Sequence, residues 1–157
     1  MIDATIVRAH QHSAGARKKK GVNQAIGRSR GGLTTKIHMI VDALGNPLAF
    51  TLTAGQVHDI TQAETLTAQV QPEAVLADDA AAYIAGLRAR AIKPVIPPKA
   101  NRKNKRDCDF ALYRERNLVE RFFQFIKHFR GIATRYEKTA RNFSAGLQLI
   151  CAIAWLK

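Results

Sequence analysis

The chain has 157 residues, 46% of them hydrophobic, enough for a buried core and too many for a disordered chain. Its 25 Lys and Arg against 12 Asp and Glu leave a formal charge of +13, so the expected partner is a polyanion, with nucleic acid the first candidate. Cys108 and Cys151 stand far apart in no CxxC pair, which argues against a zinc site or a disulfide scaffold and suits a reducing cytosol.

Residues 2 to 9 begin the chain as a short strand, and "MIDATIVRAH" has neither the basic start nor the apolar segment of a secretory signal. The stretch 10 to 32, rich in Gly, Ser, Arg and Lys without an apolar period, reads as a mobile basic loop. Two β-rich runs within 34 to 55 flank "GNP" and predict a hairpin. A short helix follows in "DITQAETLTAQV", with Asp59 or Thr61 as its N-cap. The apolar run "EAVLADD", 73 to 79, is a buried strand that ends abruptly in two aspartates.

An Ala-rich helix over 80 to 91 and the strand "KPVIPP" complete a β-α-β unit. A second basic loop spans 99 to 107, and two helices, roughly 109 to 130 and 141 to 156, finish the chain. The last one contains "AGLQLICAIAWL", which is too short to span a bilayer, and Trp155 within it is expected in the core. This order predicts an α/β protein with a mixed sheet flanked by helices, close to the ribonuclease H order of three meander strands before the first helix. "RAHQHSAGAR" is not the GxGxxG turn that a dinucleotide-binding fold would need.

On a helical wheel, Leu112, Leu118, Val119, Phe122, Phe125, Ile126 and Phe129 share one broad arc. Tyr113, Arg116, Glu120, Gln124 and Lys127 fall within a second arc about 80° wide. An Arg116–Glu120 pair is an ordinary surface stabiliser at i,i+4 spacing. Asp3 on the first strand and Asp78 at the end of a buried strand each have an equally plain reading, as a polar strand position and a turn or cap. Together, however, two strands and a helix can bring three carboxylates to one sheet edge. Such a cluster repels itself unless it holds divalent metal, and oxygen ligands select Mg²⁺ or Mn²⁺.

The spacing Tyr113-x2-Arg116-x3-Glu120-x6-Lys127 resembles the signature of the DDE transposases of bacterial insertion sequences, in the group named after insertion sequence five. "IDAT", "GRSRGGLTTKIHMIVDALGNPLAFTLTAGQVHDIT", "PVIPPKANRK" and "RNLVERFFQFIKHFRGIATRYEK" carry the likeness over nearly the whole chain. The resemblance implies a ribonuclease H-like domain over residues 1 to 157, with Asp3, Asp78 and Glu120 as catalytic acids holding two Mg²⁺ or Mn²⁺ ions. It implies cleavage at transposon ends and strand transfer into target DNA. Tyr113, Arg116 and Lys127 are then expected on DNA phosphates, along with Lys18, Lys19, Lys20, Arg28, Arg30, Arg102 and Lys103 of the basic loops. The expected setting is a bacterial cytoplasm at the nucleoid, with no membrane partner.

Two departures from the group qualify that expectation. Relatives commonly continue from the second acid with "KGYD" or "KAYD", whereas this chain reads Asp79, Ala80, Ala81, Ala82, Tyr83. Asp3 also nearly begins the chain, so the expected partner is an upstream-frame end-binding polypeptide or an N-terminal segment, with a homodimer on DNA. His10 and His12 are expected to face solvent or phosphate rather than metal, and His58-Asp59 to serve as a structural cap or hydrogen bond. Two alternatives stay open: a metal-dependent nuclease without strand transfer, and a decayed remnant that still binds nucleic acid.

Overall fold

The structure, a computed structural model, describes residues 1–15, 23–78, 81–98 and 107–156. Strand β1 (Ile2–Ala9) pairs antiparallel with β3 (Gly32–Val41), in a register that sets Ile2 beside Ile40 and Asp3 beside Met39. The other edge of β3 carries β4 (Pro47–Ala54) for most of its length and the short β2 (Gly27–Ser29) at its start. The hairpin turn forms where "GNP" predicts it. Asp42 Oδ1 accepts from the amides of Leu44 and Asn46, both at 2.8 Å. Gly45 has φ +88°, a conformation that strains any side chain.

Strand alternation gives the sheet two covered faces. On one, Val7, Ile37, Met39 and Val41 pack against α5 (Asn117–Lys127), α6 (Arg130–Ala133) and α7 (Ala140–Trp155) through Val119, Phe122, Phe123, Ile126, Phe143 and Leu147. On the other, Ile2 and Ile40 meet α2 (Ile60–Val70) and α3 (Ala81–Ala89). The same layer contains a separate two-stranded parallel sheet, β5 (Ala74–Leu76) with β6 (Lys93–Val95). The architecture is therefore mixed α/β, a mixed sheet with helices on both sides, as the element order predicts.

Several local expectations need correction. The stretch 10 to 32 contains α1 (Gln11–Ala14) and β2, because His10 caps the first turn and the segment 27–29 completes the free edge of β3. Asp59 occupies the N-cap position of α2, but its carboxylate makes no cap bond and instead pairs with Lys36 Nζ at 2.8 Å. The helix expected over 109 to 130 is broken into α4 (Phe110–Tyr113), a 3₁₀ turn (Arg114–Arg116) and α5. Phe123, left off the apolar arc, is buried, while Trp155, expected in the core, is exposed and donates its Nε1–H to the Pro47 carbonyl. The remaining short elements are β7 (Thr134–Arg135), parallel to the end of β1, and no helix among the described residues is long and apolar enough to cross a membrane.

Arg135 is fully buried, at 0% exposure. Its Nη1 donates to Thr35 Oγ1 at 2.7 Å and to the Ala25 carbonyl, and its Nε donates to the Glu137 carbonyl. Its guanidinium carbon lies 5.1 Å from the centre of the Phe143 ring. One side chain thereby ties β7 to β3, to the segment before β2 and to α7.

Candidate active site

Asp3 lies on the face of β1 that looks towards α5, since its register partner is Met39 of that core. Its Oδ1 accepts the Ala4 amide at 2.7 Å, and its Oδ2 accepts Arg116 Nη1 at 2.7 Å. Arg116 Nη2 donates to Glu120 Oε1 at 3.0 Å and stands 3.6 Å from Asp78 Oδ1. Tyr113 donates its hydroxyl to the same Asp78 oxygen at 3.2 Å. One guanidinium thus gathers three carboxylates that the chain separates widely, and the i,i+4 pair foreseen on the wheel is one arm of that gathering.

The broken helix makes this possible. A 3₁₀ turn has three residues per turn, so side chains at i and i+3 eclipse. Tyr113 and Arg116 are spaced in that way, and both reach Asp78 from one side, with the Arg116 guanidinium 5.8 Å from the Tyr113 ring centre. Glu120 then follows one regular turn later, in the first turn of α5. A continuous α-helix would have fanned the two contacts apart by about 60°.

The electrostatics divide the cluster into an inner and an outer part. The side chains of Arg116 and Asp3 are 16% and 21% exposed, those of Glu120 and Asp78 52% and 72%. Burial pushes the Asp3 carboxyl up from its usual range, against the pull of the Ala4 amide and of Arg116, and the Asp78 charge pushes it further. The Arg116 guanidinium is held above its ordinary value: burial opposes the charge, but Asp3, Asp78 and Glu120 together outweigh it. The 2.7 Å contact is the geometry of an ionised, charge-assisted pair.

The donor set suits a divalent ion, being three hard carboxylates carried by a strand, a strand end and a helix. Among the described residues no three acidic, His or Cys side chains already stand at metal-ligating spacing. The guanidinium occupies the space between them instead.

The other candidate residues are distributed as follows. Lys127 Nζ donates to Thr5 Oγ1 at 2.6 Å, two residues along β1 from Asp3 and on the same face. Arg28 and Arg30 line a groove of about 660 Å³ with Arg8, Ser29 and Thr34, on the opposite face of β1. Arg8, three residues beyond Thr5 on the opposite face of β1, joins Arg28 and Arg30 in that groove. Lys18, Lys19, Lys20, Arg102, Lys103 and Asp79 lie outside the described residues. His10 Nδ1 accepts the His12 amide as a helix cap, and its ring centre lies 4.7 Å from that of Tyr136 in a tilted contact. His58, whose carbonyl accepts from Thr61, lines a cleft of about 260 Å³ with Asp3, Asp78, His38 and Asp59.

The sequence profile of the family described as "Transposase DDE domain" matches residues 1–155. The chain belongs to that family of DNA-cleaving and strand-transferring enzymes. It is 37% identical over 130 residues to a protein of Brucella ovis named as a transposase for insertion sequence element IS6501, covering 80% of this chain and all of the relative. It is also 34% identical over 155 residues to a Burkholderia cepacia protein named as a transposase for insertion sequence element IS402, covering 88% of this chain and 70% of that one. No solved structure matches the chain.

Proposed function

We propose that Asp3, Asp78 and Glu120 are the three acids of this transposase and that they hold Mg²⁺ or Mn²⁺ within a ribonuclease H-like domain spanning residues 1 to 157. The observation behind this reading is the convergence of the three carboxylates on one guanidinium from elements as far apart in sequence as β1 and α5. Bound divalent ions would supply Lewis-acid charge for phosphodiester hydrolysis and transesterification.

The protein's own residues do the rest. Asp3 is fixed in rotation by the Ala4 amide, so its second oxygen points to the centre of the cluster. Tyr113 orients Asp78, whose mostly exposed carboxylate would otherwise sample many rotamers. Lys127, held over Thr5, extends positive charge along β1 away from the acids, where the next phosphate of a bound strand is expected. Arg8, Arg28 and Arg30 offer a second run of backbone contacts on the other face, and Lys18, Lys19, Lys20, Arg102 and Lys103 belong to the same class. The likeness to the insertion-sequence-five group adds an upstream-frame end-binding polypeptide and a homodimer on DNA, at work in the bacterial nucleoid.

The test is nicking of DNA that carries the element's ends, in Mg²⁺ or Mn²⁺, with an end-binding segment supplied. Glu120→Gln keeps the shape and removes the charge, and is expected to abolish nicking with DNA affinity nearly unchanged. Nicking that survives Glu120→Gln and Asp3→Asn overturns the assignment. The triple change Asp79→Lys, Ala81→Tyr, Ala82→Asp measures how far the departure after the second acid limits the rate.

A further inference from the structure

We propose that Arg116 is the resident counter-ion of the acid cluster and competes with divalent metal for the same carboxylates, so that metal binding releases the guanidinium towards a DNA phosphate. This rests on the reading of Asp3, Asp78 and Glu120 as the metal ligands. Arg116 donates to Asp3 and to Glu120 and pairs with Asp78 through Nη2, so its described ion-pair partners are those same three acids. Its other close neighbour is Tyr113, whose ring centre lies 5.8 Å from the guanidinium carbon and whose hydroxyl shares the Asp78 oxygen. When the acids are taken by another cation, no described ion pair keeps the guanidinium where it is.

The oxygens in question are already committed. Asp3 Oδ1 accepts the Ala4 amide and Oδ2 accepts Arg116, so a metal drawn to the centre of the cluster meets the guanidinium on its inner ligand. From solvent it first meets the more open Asp78 and Glu120. Three carboxylates against one guanidinium leave a surplus of negative charge, which a divalent ion neutralises better than a single positive charge does. The displaced guanidinium is then repelled by the ion and finds its next acceptor outside the cluster. A bidentate arginine fork fits a phosphate as well as it fits a carboxylate. Metal and DNA therefore strengthen one another's binding, each by the same factor.

The experiment is Mn²⁺ binding to the whole chain without DNA, read by electron paramagnetic resonance of the free ion. Arg116→Gln is expected to bind Mn²⁺ at least about 5-fold more tightly than the native chain, the lower bound of ordinary site-to-site coupling, with Arg116→Lys between the two. In the native chain, the Arg116 side-chain nitrogen resonances are expected to shift saturably with Mg²⁺, a readout that needs no variant to fold. Mn²⁺ affinity in Arg116→Gln equal to or weaker than native, or Arg116 resonances that ignore Mg²⁺, overturns the competition. Asp3→Asn and Glu120→Gln separate the two claims. If both bind Mn²⁺ like the native chain, the metal-ligand reading itself fails; if both weaken binding while Arg116→Gln does not tighten it, only the competition fails.

Discussion

Arg116 and Arg135 are both largely withdrawn from solvent, and both tie together distant parts of the chain, but they are held by different kinds of partner. Arg135 sits among two backbone carbonyls, the Thr35 hydroxyl and the Phe143 ring, with its Nη2 left without a hydrogen-bond partner among the described residues. Arg116 sits among three carboxylates, two of which face water, with the Tyr113 ring beside it. Fixed neutral acceptors make a buried cation part of the framework. Exposed anionic partners leave it exchangeable, because another cation can take them at little cost in packing.

The sharpest way to break that contrast is to remove each arginine in turn. Arg135→Met strands the Ala25 and Glu137 carbonyls and the Thr35 hydroxyl, and at about 1–3 kcal/mol per orphaned buried group it is expected to cost about 3 kcal/mol or more. The urea unfolding midpoint measures it. Arg116→Gln is expected to cost less than Arg135→Met, since two of its three ion pairs are with carboxylates that face water, where such pairs contribute little. Equal losses from the two variants would erase the distinction.

A third buried basic group sharpens the comparison, because it can discard its charge. His38 is 1% exposed, with Nε2 2.7 Å from Thr53 Oγ1, and burial pushes its pKa down to about 4 in spite of the Asp59 carboxylate. The folded state therefore keeps the ring neutral while the unfolded chain takes up a proton near the ordinary value of 6.5. Stability is full above about pH 6.5 and falls as the pH drops towards 4. The loss has a ceiling of about 3 kcal/mol, at roughly 1.4 kcal/mol per pH unit. Urea unfolding across this range is expected to show that slope, and His38→Gln to flatten it.

The smallest expected effect is at Lys127, exposed and bonded only to Thr5 in the described structure. Lys127→Met is expected to alter stability by less than about 0.5 kcal/mol. If it contacts a phosphate, the same change lowers the salt slope of DNA binding by about one. An unchanged slope removes Lys127 from the interface.

Much of this arrangement was readable beforehand because it follows from short-range periodicity. Asp3 is on an alternating strand, Asp78 ends an apolar run, and Glu120 shares an arc with Tyr113, Arg116 and Lys127. The order of the elements allows those residues to meet, and the family resemblance is what singled them out. What periodicity did not reveal depends on long-range acceptors. Nothing in "ATRYEK" marks Arg135 as buried, since its acceptors include the Ala25 carbonyl, 110 residues away. The break at Arg114–Arg116 has no Gly or Pro to announce it, and it coincides with the demand that Tyr113 and Arg116 reach one oxygen. Trp155 is apolar enough for a core, yet its ring is exposed at the edge of β4, where its indole nitrogen donates to the Pro47 carbonyl.

Asp78 lies two residues beyond β5, whose small sheet packs with α2 and α3 on one side of β1, while Glu120 belongs to the helical layer on the other. The three acids are therefore complete only while the two layers are docked. Cooperative units of a protein open at different free energies, and a two-stranded sheet carried on two helices is the kind of unit that opens below the global limit. Such an opening would take Asp78 from the cluster and leave Asp3 and Glu120 on Arg116. Leu66→Ala, deep in the second layer, is expected to raise amide exchange in β5 and β6 and to lower cutting in proportion, although Leu66 is part of the second core and not of the acid cluster. With Asp3, Asp78 and Glu120 as the proposed acids, cutting is then expected to track how often the two layers are closed.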